Sequence, residues 1–190
     1  MELKPDLVEY VWGKIPDNAR STSIFILQGD STSEQTRADV KGLLRTLGER
    51  YAQLLVLHPP YHDIIKFSGI EADLSNAPTL EAFLELFSKA ARNGYELLQP
   101  GRFAVLVIGD KYEDGELVPL GFYCMQRMNE VGFRTKAIVI KNIEGNERGK
   151  GRANNLWRYR ALVGGFYIFK HEYVMIFRKP GVARYRSESR

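Results

Sequence analysis

The sequence predicts an α/β domain on a mainly parallel sheet, and three observations carry the prediction. Short, β-rich apolar runs alternate with segments whose apolar residues recur at helical spacing. The run Phe103-Ala-Val-Leu-Val-Ile108 is apolar throughout, the mark of a strand covered on both faces. The last two strands, over 133–141 and 172–178, have no clear helix between them, which predicts an antiparallel pair at the C-terminal edge.

Taken in order, residues 1–20 contain Pro5, Pro16 and Asn18 and read as an irregular lead-in, with one helical turn around Leu7 to Trp12. Ile24-Phe-Ile-Leu27 reads as a strand stopped by Gly29-Asp30-Ser31, a turn and helix-cap signature. Val40, Leu43, Leu44 and Leu47 place an amphipathic helix over 34–50. Gln53-Leu-Leu-Val-Leu57 reads as a buried strand, halted by Pro59-Pro60. A long connection over 61–78 ends in Ser75-Asn76-Ala77-Pro78, a helix start. Leu80, Phe83, Leu84, Phe87 and Ala91 mark the next helix, over 79–97. Pro100-Gly101 is a turn, and Gly109-Asp110 closes the strand over 103–108. A charged loop to about 117 and a helix over 119–130 complete the set, with Cys124, Met125 and Met128 as core residues.

Composition sets the outer bounds. The 190 residues are 44% hydrophobic and 26% charged, enough for one domain with a substantial core. No window approaches about 18 unbroken apolar residues, and Glu2 and Lys4 follow Met1, so neither a membrane span nor a signal region is expected. The single cysteine, Cys124, excludes an intrachain disulfide and a multi-cysteine zinc site. A cytoplasmic protein without a metal site is the expectation.

Charge is unevenly spread. Residues 1–133 hold 13 Lys/Arg and 19 Asp/Glu, a net of −6, whereas residues 134–190 hold 14 Lys/Arg and 4 Asp/Glu, a net of +10. A basic third on an acidic body fits either a solvated face or a polyanion surface, with nucleic acid the leading candidate. The stretch 142–171 reads as a basic insertion facing nucleic acid, and 181–190 as a basic tail. Gly145–Arg152 lacks the spacing of a phosphate-binding Walker loop, but its glycines with Arg148, Lys150 and Arg152 suit a phosphate backbone. Trp157, Arg158 and Arg160, with Tyr159 between them, interleave cations and aromatics as stacking plus phosphate contact requires. A surface hairpin whose aromatics pack on the sheet is the competing reading.

Ligands of open α/β sheets bind beyond the carboxyl ends of the strands. Three predicted strands end there in distinctive residues: Asp30, the run His58-Pro59-Pro60-Tyr61, and Asp110. Two prolines after a strand remove two backbone donors and fix the chain's direction, which leaves rigid carbonyls free to accept from an amino group. An aromatic ring beside them can stack on a planar base. A stiff loop with a capping histidine is the alternative. Asp63 and Lys66 follow the motif and read either as pocket-lining residues or as an exposed loop; Asp30 reads equally as a helix N-cap, and Asp110 as an ordinary turn. His171 and Glu172 read as caps of the final strand.

The run His58-Pro-Pro-Tyr-His-Asp-Ile-Ile-Lys-Phe-Ser68, followed by Asp73-Leu-Ser75, resembles the His-Pro-Pro-Tyr subgroup of amino-group DNA methyltransferases, which modify adenine N6 or cytosine N4. Gln99-Pro-Gly101, Val107-Ile-Gly-Asp110, Val118-Pro119, Val131-Gly-Phe133 and His171-Glu-Tyr173 extend the resemblance across about residues 24–180. In the wider family the first motif residue is most often Asp, Asn or Ser; here it is His58. The resemblance implies a Rossmann-like methyltransferase sheet and S-adenosylmethionine as cofactor, with Asp30 and Asp110 bounding the cofactor crevice. It implies further that Tyr61 stacks on a flipped base, while the Pro59 carbonyl and a neutral His58 accept from its amine. His58 is alternatively the base that removes the proton afterwards.

The family's glycine-rich cofactor loop is not found, and the residues match a C-terminal catalytic half whose first two core strands are missing. Residues 1–190 are therefore expected to form a single, partial methyltransferase domain. The strand ending at Asp30 then either moves inward to pair with the strand ending at His58 or waits for strands from another chain. Its partners are expected to be DNA and a second subunit that carries the glycine-rich loop, or a homo-oligomer that covers the sheet edge. A non-catalytic, methyltransferase-like module that binds nucleic acid or scaffolds a partner is the main alternative, and an RNA methyltransferase a further one.

Overall fold

The computed structural model describes Gly13 and residues 24–142, 163–165 and 171–181. The lead-in apart from Gly13, most of the basic insertion and the tail beyond Gly181 lie outside the described residues. So do Arg148, Lys150, Arg152, Trp157, Arg158 and Arg160.

The described elements run α1 (Glu34–Thr46), β1 (Ala52–Leu57), a 3-10 turn (Leu74–Asn76), α2 (Leu80–Leu97), β2 (Leu98–Ile108), β3 (Lys111–Glu113), β4 (Glu116–Val118), α3 (Leu120–Val131), β5 (Arg134–Asn142) and β6 (His171–Arg178). Four strands form one sheet in the order β1-β2-β6-β5, and β3 and β4 form a small hairpin within the charged loop. The α/β class and the antiparallel pair at the C-terminal edge stand. The parallel part is smaller than expected: β1 and β2 run parallel, but β6 returns antiparallel to both β2 and β5. The one parallel pair is therefore β1 with β2, and the C-terminal half of the sheet is antiparallel.

The core lies on one face of the sheet. Ala104, Leu106 and Ile108 of β2 point to the same side as Phe177, Met175 and Tyr173 of β6, their partners in register. Against them pack Phe83, Phe87 and Ala91 of α2 and Cys124 and Met128 of α3, all fully or almost fully buried. Each of these large side chains contributes about 1.5–3 kcal/mol on burial. Glycine sets how closely the layers approach: a Cβ on Gly94 of α2 would lie 2.6 Å from Leu55, and one on Gly121 of α3 would lie 2.6 Å from Tyr173.

Four local expectations change. Residues 24–28 form no strand: an isolated β run has no partner for its backbone groups, and Phe25 and Leu27 stay largely exposed. The inward shift that would pair them with β1 has not occurred, so β1 is an edge strand, with Leu54 and Val56 more than half exposed, rather than a buried one. Pro100-Gly101 does not end an element: β2 runs through it, and the register slips between Leu98 and Phe103 around Gly101, at φ +86°. The helix expected over 34–50 stops at Thr46, because Gly48 at φ +77° turns the chain out of it.

Lys179 closes the opposite end of the molecule. Its ammonium donates to the Tyr95 carbonyl at 2.6 Å and the Leu98 carbonyl at 2.7 Å, and sits 4.4 Å from the centre of the Tyr95 ring. These are carbonyls at the end of α2, which lacks a glycine cap.

Candidate active site

The motif His58-Pro59-Pro60-Tyr61 emerges at the carboxyl end of β1, where the sequence places it. The loop beyond the motif is inverted, with polar side chains inward and apolar ones outward. His62 is 2% exposed at φ +55°, and its Nε2 meets the Ala77 carbonyl at 3.0 Å. Its Nδ1 lies 3.0 Å from the Lys111 ammonium. Lysine can only donate, so in this pair Nδ1 accepts and the Nε2 hydrogen goes to Ala77. Lys111, itself buried, also reaches Asp63 at 2.6 Å and Glu113 at 3.2 Å. That hydrogen bond from Lys111 is the main cause holding the Asp63 carboxyl below the usual carboxylate range.

Farther along, Asp73 is 1% exposed and accepts from the Ser75 backbone N–H, the Ser75 hydroxyl and the Ser68 hydroxyl. Burial pushes its pKa up, but those hydrogen bonds outweigh burial and leave it lowered. Asn76 donates to the Ser68 and Ile70 carbonyls. Ile64, Ile65 and Phe67 point outward, each at least half exposed. Asp63 is thus tied to the far loop rather than free in a pocket, and Lys66 is exposed.

Tyr61 is fixed from two sides. A Cβ on Gly109 would lie 3.0 Å from its ring, so the ring rests on bare backbone just beyond β2. Its hydroxyl donates to Glu172 of β6 at 2.7 Å. Burial, then the Glu172 hydrogen bond and charge, push the phenol well above the ordinary tyrosine range. Glu172 is 7% exposed and pairs across the strands with Lys141 at 2.5 Å. Burial works against its charge, but the hydrogen bonds from Lys141 and Tyr61, with the Lys141 charge, leave its pKa lowered. The rings of His58 and Tyr61 stand 6.1 Å apart. Glu172 is therefore no strand cap; it is the buried anion behind the motif tyrosine.

The other two expected residues are engaged locally. The Asp110 carboxylate accepts from the Gly121 N–H at the start of α3 and from the Tyr173 hydroxyl, both within 2.9 Å. Burial and that Asp110 contact push the Tyr173 phenol up to about 12. Asp30 accepts from the backbone and hydroxyl of Thr32. The N-cap of α1 is Ser33, which accepts from the Thr36 N–H; Asp30 lies one turn too early for that place. Asn93 of α2 holds this turn by donating to the Ser31 and Ser33 carbonyls, and Arg37 of α1 pairs with Glu96 at 2.9 Å.

A cavity of about 380 Å³ joins the two sides. His58, Pro59 and Pro60 border it at one end and Gly29 and Ser31 at the other, with Leu27, Val40, Leu55, Leu57 and Leu97 among its apolar walls. Its volume is in the range of small-ligand sites. Among the described residues no group of His, Cys, Asp and Glu could hold a metal ion, and no helix is long and apolar enough to cross a membrane.

Sequence reasoning missed Glu172, Lys111, Gly109 and Asn93. Glu172 did leave a signal: a carboxylate inside the apolar run Tyr173–Phe177 and its flank is rarely buried without a partner. The other three are legible only once β2 and α2 lie beside β1.

No family model matches the chain, and no curated protein matches it. Solved structures do. A Thermus thermophilus protein, provisionally named a DNA modification methylase, is 23% identical, with a TM-score of 0.51 over 84% of this chain and 56% of that one. The same protein complexed with S-adenosyl-L-methionine matches at 23% identity and a TM-score of 0.50, over 84% of this chain and 57% of that one. The likeness establishes the fold, an α/β sheet of the methyltransferase type. The chain spans a little over half the length of these structures.

Proposed function

We propose that the chain carries the amine-binding half of a methyltransferase site, which transfers methyl from S-adenosylmethionine to an exocyclic amine of adenine or cytosine in DNA. The observation that carries this reading is the placement of Tyr61. It is an aromatic platform locked over Gly109 by Glu172, beside two prolines that have no N–H to donate.

The cofactor supplies an electrophilic methyl group when bound. The cavity fits part of it: apolar walls suit an adenine ring, and Asp30, flanked by the lining residues Gly29 and Ser31, retains acceptor capacity beyond its Thr32 contacts. Asp110 lends support from behind, by holding the start of α3 and Tyr173. On the substrate side, Tyr61 stacks on the unpaired base, and the Pro59 carbonyl accepts an N–H so that the amine lone pair faces the donor. His58 accepts the second N–H, or the proton released after transfer. DNA is held by the basic insertion. Strands and a glycine-rich loop from a second polypeptide, or from a segment outside this sequence, complete the sheet at the β1 edge.

The test is transfer of labelled methyl to unmethylated DNA, by this chain alone and with a glycine-rich-loop partner. Transfer lost in both Tyr61→Ala and His58→Ala is the expected result. Failure of every combination to label DNA, or activity that survives both substitutions, overturns the proposal. The rival reading is a non-catalytic nucleic-acid-binding module; DNA binding with no transfer in any combination would establish it.

A further inference from the structure

Glu172 is costly where it stands. It lies on the central strand β6, almost wholly buried, and a buried carboxylate persists only when it is paired and hydrogen-bonded. Lys141 faces it in strand register and pairs with one oxygen; the Tyr61 hydroxyl donates to the other. The register also explains why Tyr61 can reach it. Ile108 pairs with Tyr173, so the next position beyond β2, Gly109, falls beside Glu172. A side chain at 109 would fill the space that the Tyr61 ring occupies. Glycine at 109, tyrosine at 61 and glutamate at 172 thus form one unit drawn from three strand ends.

We propose that Glu172 is a positioning residue of the candidate site: through the Tyr61 hydroxyl it fixes the pitch of the ring on which a planar, amine-bearing base stacks. The structural half of this stands on the contacts alone; its catalytic consequence rests on the amine-methylation reading above. An apolar residue at 172 would offer the Tyr61 hydroxyl no acceptor. Lys141, which is 60% exposed, keeps the glutamate ionised without reaching the ring itself.

The test uses the full chain with its tyrosines labelled at the ring carbon bearing the hydroxyl. Tyr61→Phe assigns the Tyr61 resonance. At neutral pH that resonance should lie displaced from the other tyrosines toward the phenolate position, because the hydroxyl donates to a carboxylate. Glu172→Ala should return it to the ordinary position, and Glu172→Gln, whose amide oxygen still accepts, should leave it between the two. In methyl transfer, Glu172→Ala should lower kcat by about 10- to 100-fold with a much smaller change in KM. Glu172→Gln should recover most of that, and Tyr61→Phe/Glu172→Ala should be no worse than the poorer single variant. A Tyr61 resonance unmoved by either substitution overturns the proposal, whatever the activity. So does a Glu172→Ala enzyme with wild-type kcat. If Glu172→Ala does not fold, Glu172→Gln alone decides through the same resonance. A displaced resonance in a chain that methylates nothing, alone or with a glycine-rich-loop partner, would sink the methyltransferase reading and leave the positioning role standing.

Discussion

The two walls of the cavity are built by opposite means. The loop after β1 is tied into the core by buried polar side chains: His62 and Lys111 at one end, Asp73 with Ser68 and Ser75 at the other. The wall formed by residues 24–33 and α1 has no buried residue in its helix, and hangs on α2 by Asn93 and the Arg37–Glu96 pair. On the proposed reading, the wall that presents the Tyr61 ring and the proline carbonyls is the over-determined one. The wall toward the proposed cofactor is a lightly held arm, the kind of segment whose opening costs much less than global unfolding.

The sharpest way to break this contrast is Lys111→Met. It strips the ammonium from His62, Asp63 and Glu113, and should cost about 3 kcal/mol in chemical denaturation. An effect below about 1 kcal/mol would mean the loop does not depend on its buried lysine. Asn93→Ala acts on the other wall. It should cost about 1–2 kcal/mol, and hydrogen exchange should quicken over residues 29–46 while the loop after β1 keeps its protection. Equal quickening in both would show that the walls open together. Gly109→Ala should cost about 1 kcal/mol by crowding the Tyr61 ring, with a larger proportional loss in methyl transfer than in stability.

Legibility in the sequence divides along the same line. The helices over 80–97 and 120–131 and the strands β2 and β6 carry patterns that survive because their apolar residues are buried in this chain. Strand β5, exposed along its length, holds through its pairing with β6. The motif was legible because two prolines and a tyrosine constrain the backbone locally. The strand expected over 24–28 failed because strand propensity needs a neighbour to pair with, and no local signal reports that neighbour's absence. Glu172 was misread as a cap because its partner is 111 residues away in sequence.

Acid supplies a smaller effect. The Asp73 pKa is depressed in the folded chain, so its contribution is complete above the ordinary carboxylate value near about 3.9 and is lost as pH falls through the folded value. Stability measured from pH 6 downward should therefore fall more steeply below about pH 4 in the wild type than in Asp73→Asn. Parallel curves would remove Asp73 from the acid-sensitive clamp. The smallest change belongs to the open edge: Leu54→Lys, at a side chain more than half exposed, should alter stability by less than about 0.5 kcal/mol. A loss above about 1 kcal/mol would mean that the edge is already covered in the isolated chain.

Lys179 gives the molecule an internal reporter. Burial lowers the pKa of its amine, against the opposing charge of Glu96, which should make it a better nucleophile than a surface lysine. Its hydrogens are nonetheless committed to the carbonyls of Tyr95 and Leu98, and the Tyr95 ring flanks it. Lys179 borders an open pocket beside Tyr95 and Glu96, so an acylating reagent takes this nitrogen once its two hydrogen bonds to the end of α2 are released. Labelling at Lys179 therefore times the release of the end of α2 from its lysine cap, while the many surface amines record only the reagent's presence.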